Sequence, residues 1–181
     1  MKWVIISQSV AILGAGLVFP FYILFIKEVG STFSQFGISY GLFTISSALV
    51  HQWIGSHSDR VGRKLYLVLY AWGTGSIFLL FPIVTSIWQV YVLQIFLGFL
   101  GAMQKTSEKA LIADLTNGET RGKQIGVYHF WTALFSGIAI MGGGYLIDFL
   151  TIEYIFYIGS MILFGSGFLI LKIKEHKKEP L

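Results

Sequence analysis

The sequence predicts an all-α membrane protein with six transmembrane helices. Hydrophobic residues make up 55% of its 181 residues and charged residues only 12%, and the mean hydropathy is +0.71. Soluble domains average about 45–50% apolar and about 25% charged residues. Long uncharged stretches alternate with short basic segments, and this alternation predicts the number of helices.

Composition also excludes several kinds of site. The chain has no cysteine, so it can form neither a disulfide nor a thiolate metal site. The net charge of +4 does not indicate nucleic-acid binding, because the basic residues are divided among separate segments rather than gathered on one face. No metal-ligand spacing, nucleophile motif or phosphate-binding glycine loop occurs. We therefore expect no enzyme activity, no catalytic residues, no metal and no cofactor.

The first two predicted spans are residues 3–26 and 35–54. The first has 24 uncharged residues, against the about 20 that a bilayer requires. It exceeds the apolar core of a secretory signal peptide, about 7–15 residues, so we interpret it as an uncleaved span. In the second, four small residues recur at helical spacing and form a face that another helix could approach closely. They are Gly37, Gly41, Thr44 and Ala48.

Four more spans are predicted in the rest of the chain. Residues 65–104 carry no charge, and Pro82 and the pair Thr85-Ser86 mark a turn within them. The predicted spans are 65–84, 88–106, 124–147 and 151–171, followed by a cytoplasmic tail at 172–181. We expect residues 1–181 to form a single domain.

The distribution of basic residues predicts the orientation. If the amino terminus is cytoplasmic, the inner segments hold 12 of the 13 basic residues and the outer loops hold only Lys27. This excess is the positive-inside pattern. We therefore expect a multi-pass protein of the plasma membrane, in contact with membrane lipid, with both termini in the cytoplasm.

A charged hinge is predicted between the second and third spans, with the sequence Gly55-x-x-x-Asp59-Arg60-x-Gly62-Arg63-Lys64. An ordinary basic loop would account for the positive charge but not for the aspartate or the two glycines. The hinge resembles the signature loop of the major facilitator superfamily, and all six specified positions match.

Two later stretches resemble the same family. One is Ala110-Leu-Ile-Ala-Asp114-Leu-Thr with Glu119, Arg121 and Gly122 behind it, and the other is Gly142-Gly143-Gly144-Tyr-Leu-Ile-Asp148. The resemblance covers the whole chain, but only the amino-terminal six-helix half of a typical member. It implies two inverted three-helix repeats.

The resemblance implies that the hinge is a conformational latch. Asp59 would bind the amino-terminal end of the fifth span in a second half, where the helix dipole stabilises a carboxylate. Arg63 would pair with an acid of the next inner segment, either Glu108 or Asp114, and Arg121 is a further latch partner. The predicted latch comprises Gly55, Asp59, Arg60, Gly62, Arg63 and Lys64. For Arg60 and Lys64, simple anchoring by positive charge is the alternative.

Polar residues of the first, fourth and fifth spans are the candidates for a substrate cavity. They are Gln8, Tyr22, Gln94, Gln104 and His129. Each could instead form a helix–helix hydrogen bond. Many family members carry Arg where this chain has Gln94, so the resemblance favours an uncharged or amphipathic substrate over an anion.

The predicted helices and the family resemblance support two possible functions. The first is a half-size secondary transporter in which two copies enclose a cavity and move a small solute by alternating access. The alternative is a non-transporting or truncated half that assembles with another membrane protein.

Overall fold

The computed structural model describes residues 1–29, 32–116 and 118–173, and most of these residues are helical. The tail predicted at 172–181 therefore lies outside the described residues from Lys174 onward. The helices are α1 (Lys2–Val18), α2 (Tyr22–Glu28), α3 (Phe33–Val61), α4 (Arg63–Leu80), α5 (Ile87–Leu115), α6 (Arg121–Phe149) and α7 (Ile152–Leu171).

Prolines and capping residues explain where several helices begin and end. Pro20 and Pro82 lie in short 3-10 turns, Phe19–Phe21 and Phe81–Ile83, because proline lacks the N–H that continues an α-helix. Thr32 and Ser86 start α3 and α5 through capping boxes, each completed by a glutamine three residues later.

The charged hinge is helical, which corrects the loop predicted from the sequence. α3 continues through Gly55 and Asp59 to Val61, and α4 begins at Arg63. Gly62 makes the reversal with a φ of 111°, a conformation that favours glycine. α5 likewise continues past residue 106 to Leu115. The predicted spans describe the parts of the chain that cross the membrane, whereas a helix continues wherever its backbone hydrogen bonds are kept and no breaker intervenes.

Within the described ranges, five helical stretches are long and apolar enough to cross a membrane: Lys2–Lys27, Arg63–Ile83, Ile87–Leu115, Gly118–Phe149 and Ile152–Leu171. α3 has 29 residues but is not among them. Its serines, glutamines and histidines lower its hydropathy below that of the other long helices. The sixth span therefore stays a prediction.

The helices pack side by side in the order α3, α5, α4, α7, α1, α6. α1 and α7 cross closely, since a Cβ on Gly14 would lie 2.9 Å from the Gly159 carbonyl oxygen. Near one end of α4, Phe156 of α7 stacks on Phe81 with ring centroids 5.0 Å apart. In this order α3 and α6 lie at the two outer positions.

Several helix termini meet at one end of the bundle, which we call the basic end. Lys172 lies 4.9 Å from the ring centroid of Trp3, so α7 ends where α1 begins. Arg63, at the start of α4, contacts Asp114 near the end of α5. The basic end therefore brings the predicted latch residues of three helices together.

Candidate functional site: a charged cluster at the basic end

Arg63 is the centre of the charged cluster. Its guanidinium binds Asp59 of α3 at 2.8 Å and Asp114 of α5 at 2.5 Å. The Arg63 side chain is 13% exposed, against 60% for Asp59 and 34% for Asp114. Gly62 permits this geometry, because its turn sets Arg63 as the first residue of α4 beside the last turns of α3 and α5. Of the two acids that the sequence offered for Arg63, the structure selects Asp114.

Lys64 contacts a different helix. Its ammonium donates to the carbonyl oxygens of Leu171 at 2.5 Å and Ile173 at 3.0 Å, at the end of α7. Carbonyl groups at a helix end lack intrahelical partners and carry partial negative charge, so a lysine there is stabilising. Lys64 thus has a specific contact in addition to its charge, whereas Arg60 is exposed on the last turn of α3.

Glu108 forms a second polar site, between α5 and α6. Its carboxylate accepts hydrogen bonds from the Tyr128 hydroxyl and the Gln104 amide. Tyr128 is buried and Glu108 is half-buried. The side chains that donate hydrogen bonds to Glu108 are therefore uncharged. Arg121, the third predicted partner, is exposed at the start of α6 and makes no ion pair within the described part of the chain.

The five candidate cavity residues do not share one surface. Gln8 is 0% exposed, Tyr22 4% and Gln94 2%, so all three lie inside the bundle in this conformation. The Tyr22 hydroxyl lies beside the side chains of Gln94 and Ser39 but makes no hydrogen bond of normal geometry. Of the five, Gln104 and His129 reach the surface of the bundle.

Sequence reasoning missed a polar contact between α3 and α5. The His51 ring lies between two hydroxyls, with Nδ1 2.8 Å from Thr106 Oγ1 and Nε2 3.3 Å from Ser47 Oγ. Ser47 is one helical turn from His51, so that pair was visible in the sequence. Thr106 lies 55 positions away, and nothing local indicates it.

The described ranges contain no group of three or more His, Asp or Glu side chains that could hold a metal. The chemistry available at the basic end is ion pairing and hydrogen bonding between helices. Such contacts can hold one arrangement of helices against another.

Comparison with known proteins decides the family. The model described as Major Facilitator Superfamily matches residues 4–181. The chain belongs to the major facilitator superfamily. The resemblance seen in the sequence is thereby confirmed, and the chain is a membrane protein of a transporter family.

Two relatives differ greatly in length. The chain is 50% identical over 158 residues to the uncharacterized MFS-type transporter YitZ of Bacillus subtilis (strain 168), which covers 87% of this chain and 96% of that protein. It is 29% identical over 170 residues to the multidrug resistance protein MdtG of Escherichia coli, which covers 91% of this chain but 41% of MdtG. The chain thus spans nearly all of the first relative and about two-fifths of the second.

Replacing Tyr128 by Phe is expected to lower the free energy of unfolding by about 1.5–3 kcal/mol, because Glu108 loses a charge-assisted hydrogen bond in a half-buried place. Thermal unfolding of the detergent-solubilised protein measures this change. Tyr145→Phe is the matched control, since Tyr145 is 70% exposed on the same helix. Equal unfolding midpoints for the two variants would contradict a structural role for the Glu108–Tyr128 contact.

Proposed function

We propose that the chain is a half-size secondary transporter that works as a homodimer in the plasma membrane, with both termini in the cytoplasm. Two copies enclose a cavity and move a small uncharged or amphipathic solute by alternating access. Membership of the superfamily supports transport, and the near-complete match to YitZ shows that a relative has almost the same length. The name of MdtG, a multidrug resistance protein, supports an amphipathic substrate.

The exposed side chain of Asp59, which could bind a helix start of a second copy, is the observation that carries the proposal. This side chain is 60% exposed and is held by Arg63 at the basic end. The 3-10 turn Gly118–Thr120 leads into α6 at the same end, and Thr120 makes no side-chain capping bond. A carboxylate near a helix start is stabilised by about 0.3–1 kcal/mol, and by up to about 2 kcal/mol when partly buried. In the homodimer, Asp59 of each copy caps α6 of the other.

Open faces on the two outer helices support the same arrangement. A Cβ on Gly37 or Gly41 of α3 would meet nothing within 4 Å, and the same is true of Gly126 and Gly137 of α6. The α3 face that the sequence marked for close approach thus has no helix against it in the single chain. Small residues at membrane helix interfaces let backbones approach closely, so a second copy fits these faces.

The packing pattern supports two inverted repeats. If α1, α3 and α4 form one repeat and α5, α6 and α7 the other, then α1 corresponds to α5, α3 to α6 and α4 to α7. The contact between α1 and α6 then has its counterpart in the contact between α5 and α3, and the contact between α1 and α7 in that between α5 and α4. The α4–α7 contact maps onto itself. A bundle made of two similar three-helix units has this property.

Cross-linking in membranes tests the assembly, and uptake tests transport. The chain has no cysteine, so Asp59→Cys combined with Lys123→Cys supplies the only thiols. We expect a disulfide-linked dimer on oxidation and uptake of an amphipathic dye into liposomes that contain the unmodified protein. A dimer without uptake of any solute in a drug, sugar and metabolite panel would instead favour the non-transporting half. Absence of the cross-linked dimer would overturn the homodimer.

Replacing Gly126 by Leu is expected to reduce dimer cross-linking and uptake about ten-fold without lowering the unfolding midpoint of the single chain. The added side chain meets no atom of its own chain within 4 Å at Cβ, but would separate α6 from a second copy. Gly165→Leu is the matched control, because Gly165 of α7 is equally open. Equal losses in both variants would contradict an interface at α6.

A further inference from the structure

A groove of about 480 Å³ runs between α1 and α6 from the basic end into the bundle. Its volume lies within the roughly 300–1,000 Å³ typical of clefts that bind small molecules. The lining runs along α1 from Lys2 to Val10, a rise of about 12 Å at 1.5 Å per residue. The function proposed above assigns no role to this groove.

The groove changes from cationic to apolar along its length. Lys2 lies at the mouth, and Ile6, Val10 and Phe135 line the deeper part. No carboxylate is among the described residues that line it. This order matches a phospholipid, with its headgroup at the surface and its acyl chain below.

Two polar groups inside the groove lack partners. Ser9 is 2% exposed, lines the groove, and its hydroxyl makes no hydrogen bond. A buried hydroxyl without a partner is costly, so its position indicates a ligand that accepts or donates there. Trp131 lines the same groove and is 42% exposed, with its indole N–H unbonded within the described chain. The ester carbonyls of a phospholipid are acceptors of the right kind for both.

The side of α6 that includes the groove residue Trp131 is apolar and exposed, as suits contact with lipid. Val127, Trp131, Leu134, Ile138 and Met141 recur every three or four residues, so they share one side of the helix, and each is at least 42% exposed. The open glycines Gly126 and Gly137 occupy other positions of the helix, which leaves the groove clear of the face that the homodimer uses.

We propose that the groove between α1 and α6 binds an anionic phospholipid of the leaflet at the basic end. Lys2 binds the headgroup phosphate, Ser9 and Trp131 donate to the ester carbonyls, and one acyl chain continues along Val10 and Phe135. Basic pockets between membrane helices on the cytoplasmic side recognise anionic headgroups in this way. The proposal does not depend on transport or on the homodimer.

Native mass spectrometry tests the lipid site. The protein is reconstituted in nanodiscs that contain equal amounts of phosphatidylglycerol and phosphatidylcholine, and the lipids it retains are counted after release. We expect preferential retention of phosphatidylglycerol. Lys2→Gln should reduce that preference about five-fold, the ratio that corresponds to about 1 kcal/mol for one basic side chain near an anionic surface. Val10→Trp, which fills the groove, should reduce retention of both lipids.

Lys27→Gln is the matched control, because Lys27 lies at the end of α2, away from the basic end, where it packs over the Phe33 ring. It should leave the lipid ratio unchanged. Circular dichroism and thermal unfolding establish that each variant is folded. An unchanged ratio in Lys2→Gln, or unchanged retention in Val10→Trp, would overturn the site. Preferential binding of dodecyl phosphate over phosphatidylglycerol would overturn the assignment to a membrane lipid.

Discussion

Replacing Arg63 by Met is expected to abolish most of the uptake and to lower the free energy of unfolding by about 1.5–3 kcal/mol. Arg63 is 13% exposed and contacts both Asp59 and Asp114, so its loss leaves two carboxylates near each other without their shared cation. The states of a transporter differ by only a few kcal/mol, so a change of this size alters their populations strongly. Uptake into liposomes and thermal unfolding in detergent measure the two effects.

Arg60→Met is the control for this variant. Arg60 carries the same charge at the end of α3, but it is exposed and makes no ion pair within the described ranges. We expect its unfolding midpoint and uptake to stay close to those of the unmodified protein. If both variants lose uptake equally, the basic end acts through its total positive charge and the latch is wrong. Uptake regained on combining Arg63→Asp with Asp114→Arg would support the specific pair.

Gly98→Ala is expected to separate α3 from α5 and to cost about 3 kcal/mol of stability, at the upper end of what overpacking usually costs. The added Cβ would lie 1.9 Å from Ser46 Oγ and 2.4 Å from the Phe43 carbonyl oxygen. Rotation of the Ser46 side chain can relieve the first contact. The second involves backbone, so the helices themselves must move apart. Thermal unfolding measures the loss, and a cysteine pair across the two helices reports the separation.

Gly101→Ala supplies the comparison, one turn further along α5. Its Cβ would meet the Phe43 ring at 3.3 Å, and a ring edge can move by a few tenths of an ångström. We expect a change below about 1 kcal/mol, offset by the better helix propensity of alanine. Adding Ser46→Ala to Gly98→Ala should restore part of the stability. A fully stable Gly98→Ala protein would show that α3 and α5 pack less closely than described.

The sequence determined the class of the molecule and much of its basic end. Apolar composition and uncharged runs identified the helices, because burial in lipid requires long apolar stretches. The hinge motif identified the family, and the inner-segment acids limited the partners of Arg63 to two. The charged hinge was predicted as a loop but is helical, since charge marks the membrane surface but does not end a helix.

The tertiary structure decided which side chains meet. It showed that Arg63 forms an ion pair with Asp114, and that Glu108 contacts Tyr128, which lies 20 positions away on another helix. It also showed that Gln8, Tyr22 and Gln94 lie inside the bundle, and that Lys2 and Ser9 line a groove between α1 and α6. In each case the deciding quantity is the rotation and spacing of one packed helix against another. A sequence specifies the faces of a helix, whereas the neighbour of each face depends on how the whole set of helices packs.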